Sequence, residues 1–169
     1  MRPYERFMPL VVRNYREYPQ ATELSYDDGS AEFGFVAWPG AIAAVRFSAP
    51  FELQVTKLKF HVWGEMQDIR VHILNASQNS VYSLVTTPAP GWFEVDISGA
   101  NVAVSGDFFV GWQWISEPRN GPWLCVDTDP PYNQRSFLGS EGNLFHKGSG
   151  TPDEQKEDYL IRAVVRAME

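Results

Sequence analysis

Four aspartates, Asp27, Asp28, Asp127 and Asp129, flank turns, and carboxylates beside backbone carbonyls are the ligands a hard calcium ion takes. No stretch reproduces the twelve-residue calcium loop, so calcium ligands would have to converge from distant parts of the chain. The alternative use of such residues is local, because an Asp in a turn commonly accepts a hydrogen bond from its own backbone. Three histidines, His61, His72 and His146, are available as general bases, and a nucleophile needs one within hydrogen-bond reach. The run Leu138-Gly139-Ser140-Glu141-Gly142 approaches a nucleophile elbow but carries Leu138 where the sharp turn needs its first glycine. Ser140 therefore reads as a turn residue. Cys125, the only cysteine, sits between Leu124 and Val126 with no basic residue beside it, the setting of a small strand residue rather than a reactive thiolate. Glu32, Glu65, Glu94, Glu117 and Glu141 offer carboxylates for glycoside hydrolysis, but sequence supplies no means of pairing them across a cleft. No catalytic residue is assigned.

Binding chemistry is more visible. Trp38, Trp63, Trp92, Trp123 and Tyr132 do not all fall on inward faces by alternation. An exposed ring beside Asp, Asn or Gln can stack on the C–H face of a sugar while the polar neighbours reach its hydroxyls. Trp123, Tyr132, Asn133 and Gln134 form the best such cluster in sequence. The bland reading is that these rings cover sheet edges and loop bases. His61 and His72 project outward from runs expected to be adjacent in one sheet, where a transition metal is conceivable and plain solvation is the commoner outcome.

The elements that would position these groups are strands. Gln54 to Trp63 alternates, with Leu58, Phe60 and Val62 on one side and Lys57, Lys59 and His61 on the other, which marks a half-buried antiparallel strand. Asp68 to Leu74 repeats the pattern, and Phe108, Val110, Trp112 and Trp114 line one face of a central strand. Further strands are expected at 33–36, 43–47, 81–86, 92–97, 102–104, 123–126, 135–138 and 158–166. About ten short strands at turn-punctuated spacing imply an all-β fold, a two-sheet antiparallel β-sandwich of jelly-roll-like form. The Gly-rich stretch from Gly139 to Lys156 reads as a long loop, or a short hairpin followed by a loop. No amphipathic helix is visible, nor any run of about 18 uncharged apolar residues of the kind that spans a membrane.

Residues 1–20 form an extended amino-terminal arm in this reading, and residues 21–169 the β-sandwich domain. Pro9 removes a backbone donor from the arm, which confines it to an edge or a groove. Residues 1–16 carry four arginines against Glu5, a net +3, so the remainder holds −10 of the total −7. An acidic body disfavours nucleic acid and anionic membranes. The basic arm, with Phe7, Leu10, Val12 and Arg13 as its contact residues, is suited to meet a protein partner or a second copy of this chain.

The serial order of Tyr26-Asp27-Asp28-Gly29, Ala44-Val45-Arg46-Phe47, Val55-Thr56-Lys57-Leu58-Lys59-Phe60, Gly91-Trp92-Phe93-Glu94-Val95-Asp96-Ile97, Gly106-Asp107-Phe108-Phe109-Val110-Gly111, Val126-Asp127, Arg135-Ser136-Phe137 and Asp158-Tyr159-Leu160-Ile161-Arg162-Ala163-Val164-Val165 resembles an accessory β-sandwich domain appended to secreted bacterial and archaeal multidomain proteins, including peptidases. Phe7 to Asn14 is similar to the segment that precedes such modules. The resemblance spans about Leu24 to Val165 and implies architecture and an extracellular or cell-surface location, without a catalytic set to carry over. The partner catalytic domain usual in such proteins is absent from this chain. Asp27 and Asp127 lie in the resembling motifs and are the preferred calcium candidates. Together these readings lead to a non-catalytic extracellular module for protein interaction or assembly, with a carbohydrate-binding module, calcium-assisted if a metal is used, as the alternative. No cofactor other than calcium is suggested.

Overall fold

The computed structural model describes residues 21–118, 120–146 and 157–168. Strands β1 (Thr22–Leu24), β2 (Phe33–Phe35), β3 (Ile42–Trp63), β4 (Ile69–Leu74), β5 (Ser80–Thr86), β6 (Gly91–Asp96), β7 (Val102–Trp114), β8 (Trp123–Asp127), β9 (Ser136–Ser140), β10 (Asn143–His146), β11 (Asp158–Tyr159) and β12 (Ile161–Ala167) are the strands of the described residues, which also include a 3-10 turn at Ser98–Ala100. Every pairing is antiparallel. Among the described residues no helix is long and apolar enough to cross a membrane.

The organising element is β3. At about 3.3 Å per residue its 22 residues would reach roughly 70 Å if straight, well beyond the roughly 40 Å diameter of a compact chain this size. It must bend, and Pro50 marks where. The ladder to β7 shifts register between Ala49 and Leu53, because proline offers no donor and the pairing lapses there. The half before the bend lies in one layer between β9 and β7, which continues through β4 to β5. The half after it lies in the other layer between β6 and β12, with β1 outside β12. At its far end β8 takes over from β12, and β2 and β11 pair with β8. The two layers thus share two continuous strands, β3 and β7.

Between the layers the inward side chains interdigitate. The Phe60 ring from one layer sits 5.3 Å from Trp112 of the other, and Phe35 bridges Trp114 at 5.4 Å and Tyr159 at 5.3 Å. Trp112, Trp114, Phe60, Phe47 and Phe108 are fully buried. Trp114 satisfies its indole N–H by donating to the carbonyl of Pro122 at 2.8 Å.

A second, smaller core lies on the opposite side of the β9–β3–β7–β4 sheet, made by Ile42, Ala44, Leu74, Phe109, Phe137 and Leu144. Alternation alone assigns Phe109 to solvent, yet it is buried. The β9–β10 hairpin and the β4–β5 turn meet beside this core. Leu144 N–H donates to Gln78 Oε1 at 2.7 Å, Ser80 N–H to Glu141 Oε1 at 2.8 Å, and Gly142 N–H to the Gln78 carbonyl at 2.9 Å. Gly139 is required in that hairpin: at φ +157 a Cβ would fall 2.2 Å from the Asn143 carbonyl oxygen.

Several boundaries differ from the sequence reading for one reason. Residues 43–47 and 54–63 belong to one strand, as do 102–104 and 108–114, since the ladder between β3 and β7 lapses at Pro50 and resumes with a shifted register at Leu53, the two strands turning the corner together. Thr22–Leu24 forms β1 by pairing with β12; of the two readings of the stretch from Gly139 the short hairpin holds, with Asn143–His146 as its second strand, and residues 147–156 lie outside the described residues. The expectation that His61 and His72 project outward from adjacent strands is corrected. His61 lies on the post-bend half of β3, whereas β4, which carries His72, pairs with β5 and β7 in the other layer. His72 is buried with both ring nitrogens engaged, Nδ1 at 2.9 Å from Ser80 Oγ and Nε2 at 2.7 Å from Gln113 Oε1.

Candidate functional site

The outward face of the β6–β3–β8 ladder carries a strip of rings. Directly opposed residues on paired strands project to the same side, and the register sets His61 against Trp92 and Trp63 against Trp123. The His61 ring stands nearly perpendicular to both flanking indoles, 84° and 5.1 Å from Trp92, 83° and 6.2 Å from Trp63. Trp63, Trp92 and Trp123 remain 36%, 37% and 39% exposed, large values for side chains of this size on a formed sheet. Gly34 on β2 helps them spread. A Cβ there would sit 3.2 Å from Trp123 Cβ and 3.4 Å from Trp63 Cε3, so a side chain at this position would press on the Trp63 ring.

Below the strip runs a belt of ion pairs. Lys59 Nζ meets Glu23 at 2.6 Å and Glu94 at 3.1 Å, Lys57 meets Glu94 at 3.6 Å, and Arg162 meets both Glu23 and Asp27. Arg162 also lies 4.4 Å above the centre of the Trp92 ring, a cation–π contact. Three cations face three carboxylates, so the belt is close to neutral. The exposed Lys57–Glu94 pair contributes little to stability, whereas Arg162–Asp27 is sheltered, with the Asp27 side chain wholly covered. Their effect here is to leave a surface that neither attracts nor repels ions strongly.

A second constellation lies where the turn between β1 and β2 meets the end of β8. Asp28, Glu32, Asp127 and Asp129 each bring a carboxylate oxygen within 4.8 Å of the others. Asp127, the buried member, accepts from the backbone amides of Asp28 and Asp129, both at 2.8 Å. Glu32 accepts from the Thr128 amide at 3.0 Å and from Ser30 Oγ at 3.1 Å. Burial raises the Asp127 carboxyl, and a hydrogen bond shared with Glu32 pushes Asp129 to about 6, while the Thr128 amide holds Glu32 low. Like charges this close cannot all ionise freely. A proton held between Glu32 and Asp129, or a hard cation across the oxygens, relieves the repulsion.

No protein-family model matches the chain, and no curated protein matches it in sequence. The site therefore stands on its geometry.

The residues singled out from sequence distribute between these two places. Asp127 joins the acidic cluster. Asp27 lies beside it, with its carboxylate gripped in a two-pronged contact by Arg162 Nε and Nη2. Trp123 opens β8 and belongs to the ring strip, whereas Tyr132, Asn133 and Gln134 follow the opposite end of that strand. Tyr132 donates to the Thr128 carbonyl at 3.1 Å, and Asn133 donates to the Tyr26 carbonyl at 2.7 Å and to Asp158. The cluster expected around Trp123 is thus divided between two ends of β8. Phe7, Leu10, Val12 and Arg13 of the arm lie outside the described residues. Ser140 ends β9, opposite Asn143 in a tight hairpin.

Sequence reasoning missed Glu32 as a member of the acidic cluster, and it missed the grouping of Trp63 and Trp92 with Trp123. Glu32 sits five residues after Asp27 with no ligand-like spacing to signal it. The three tryptophans carried a signal in their off-face positions, but only strand pairing over some sixty residues of sequence brings Trp63 beside Trp123.

Proposed function

We propose that the chain is a non-catalytic, exported β-sandwich module that binds neutral polysaccharide across the strip Trp92–His61–Trp63–Trp123. The observation that carries this reading is the alignment of three part-exposed indoles on one sheet face by cross-strand register. Contiguous exposed apolar surface marks interaction sites, and indole faces suit the C–H faces of pyranose rings. The neutral ion-pair belt beside the strip favours an uncharged ligand over a nucleic acid, an acidic glycan or a highly charged protein. Each indole leaves roughly 80 Å² to cover, worth at most about 2 kcal/mol at 25 cal/mol per Å².

The test is retention on insoluble cellulose, xylan, chitin and mannan, with Trp63→Ala and Trp123→Ala as variants. Each variant should weaken retention by roughly 10- to 30-fold, with near-ultraviolet circular dichroism and melting little changed. If calcium assists, its ligands lie in the acidic cluster, and the assay run with EDTA separates that contribution. Wild type that adheres to none of these polymers ends the reading. The interaction-or-assembly reading has the charge contrast between residues 1–16 and the body behind it. It takes over if wild type binds no glycan while deletion of residues 1–20 changes the particle mass in light scattering.

A further inference from the structure

Under the ring strip lies a buried thiol. Cys125 Sγ is 3.1 Å from His61 Nδ1, and Cys125 itself is wholly buried. The backbone holds the two residues in place. Leu160 N–H donates to the Cys125 carbonyl and His61 N–H donates to the Leu160 carbonyl, each at 3.0 Å, while Gly34 pairs with Cys125 from the other side. The side-chain contact therefore joins two strands whose spacing is already fixed by main-chain hydrogen bonds.

The proton inventory of the pair follows from its surroundings. Burial pushes the Cys125 thiol up to about 12, so at neutral pH the sulfur carries its hydrogen. Burial also lowers His61, with Arg162 acting in the same sense and Asp27 opposing, so the imidazole is neutral there. A neutral imidazole has one donor and one acceptor nitrogen. The contact is then either S–H···Nδ1 with the ring hydrogen on Nε2, or Nδ1–H···S with it on Nδ1; the first leaves the ring a donor towards the strip. Among the described residues Nε2 has no hydrogen-bond partner, and the ring stands on edge between two indoles.

We propose that His61 is the hydrogen-bond donor of the strip, offering Nε2–H to a hydroxyl or ring oxygen of a neutral pyranose chain lying over Trp92 and Trp63, and that Cys125 is the positioning residue that holds His61 in this tautomer. The proposal rests on the glycan-binding reading and adds polar recognition to it. Stacking alone accepts many sugar faces, whereas a fixed donor between two rings requires an acceptor at one place along the chain. An imidazole with the opposite tautomer would present a lone pair and select a hydroxyl as donor instead.

Two readouts test it. In long-range 15N–1H correlation spectra at pH 7, His61 of the wild type should show the Nε2–H pattern. Cys125→Ala should give a mixture of tautomers, and Cys125→Ser, which restores a donor, should return the Nε2–H form. Affinity for cellohexaose and xylohexaose is read by calorimetry. His61→Phe keeps an aromatic ring without a donor and should bind about three- to tenfold more weakly, the worth of one hydrogen bond; Cys125→Ala should weaken binding less, with rescue by Cys125→Ser. An Nδ1–H wild type overturns the Cys125 role, and undiminished binding by His61→Phe overturns the donor role. Should wild type bind neither hexamer nor any insoluble polymer, the glycan reading fails and the donor role with it, while the tautomer spectrum still reports on Cys125 by itself.

Discussion

Replacing Asp158 with asparagine should flatten part of the pH dependence of stability. Asp158 opens the carboxyl-terminal strand pair opposite Asp127 and is buried. Burial pushes its carboxyl from an ordinary value near 3.8 to about 6, against the hydrogen bonds from Asn133 and with help from the charges of Asp127 and Asp27. The folded protein therefore holds this proton more tightly than the unfolded chain does. The associated stabilisation is complete below about pH 4 and is lost as pH rises through about 6. A gap of about 2 units corresponds to roughly 3 kcal/mol. Relaxation of the folded chain and water penetration around a buried charge offset part of that, and roughly 1.5 kcal/mol is the working figure. For a domain this size that equals about 3–6 °C in melting temperature.

The assay is urea unfolding of wild type and Asp158→Asn at intervals from pH 4.5 to 7.5. Glu94, held low by Lys59, and Asp96, held low by Ser98, lose stabilisation in acid, but they are common to both proteins and cancel in the difference. The stability of wild type minus that of the variant should fall by about 1.5 kcal/mol across the window. Parallel curves would refute the assignment of a raised, proton-holding carboxyl to this position.

The acidic cluster gives a related expectation of sign. Because Asp129 is raised by its shared hydrogen bond with Glu32, Asp129→Asn should stabilise the fold at pH 8 and change it little at pH 5; a melting temperature that shifts equally at both values contradicts the shared proton. In the core, Phe60→Ala removes the ring that spans the layers to Trp112 and should cost about 3–5 kcal/mol in chemical denaturation. A loss under 1 kcal/mol would mean that the layers do not interlock there.

The two-residue rhythm of Leu58, Phe60 and Val62, and of Ile69, Val71 and Ile73, determined the all-β class and the inward faces, because alternation is a local property of an extended chain. The same rhythm showed that Trp38, Trp63, Trp92, Trp123 and Tyr132 do not all fall on inward faces. It could not say that Trp63, Trp92 and Trp123 meet, nor that Tyr132 and Asn133 stand apart from Trp123, since register between strands far apart in sequence is decided by which pairing buries the most apolar surface. The bend of β3 at Pro50 and the burial of Phe109 have the same origin: both depend on a neighbouring strand or hairpin that the residues themselves do not announce. The pairing of Cys125 with His61 and the convergence of Glu32 on Asp127 likewise arise only when β8, β11 and the turn after β1 come together. Alternation along a strand divides its residues between two faces, and tertiary packing alone decides which faces are covered and by what.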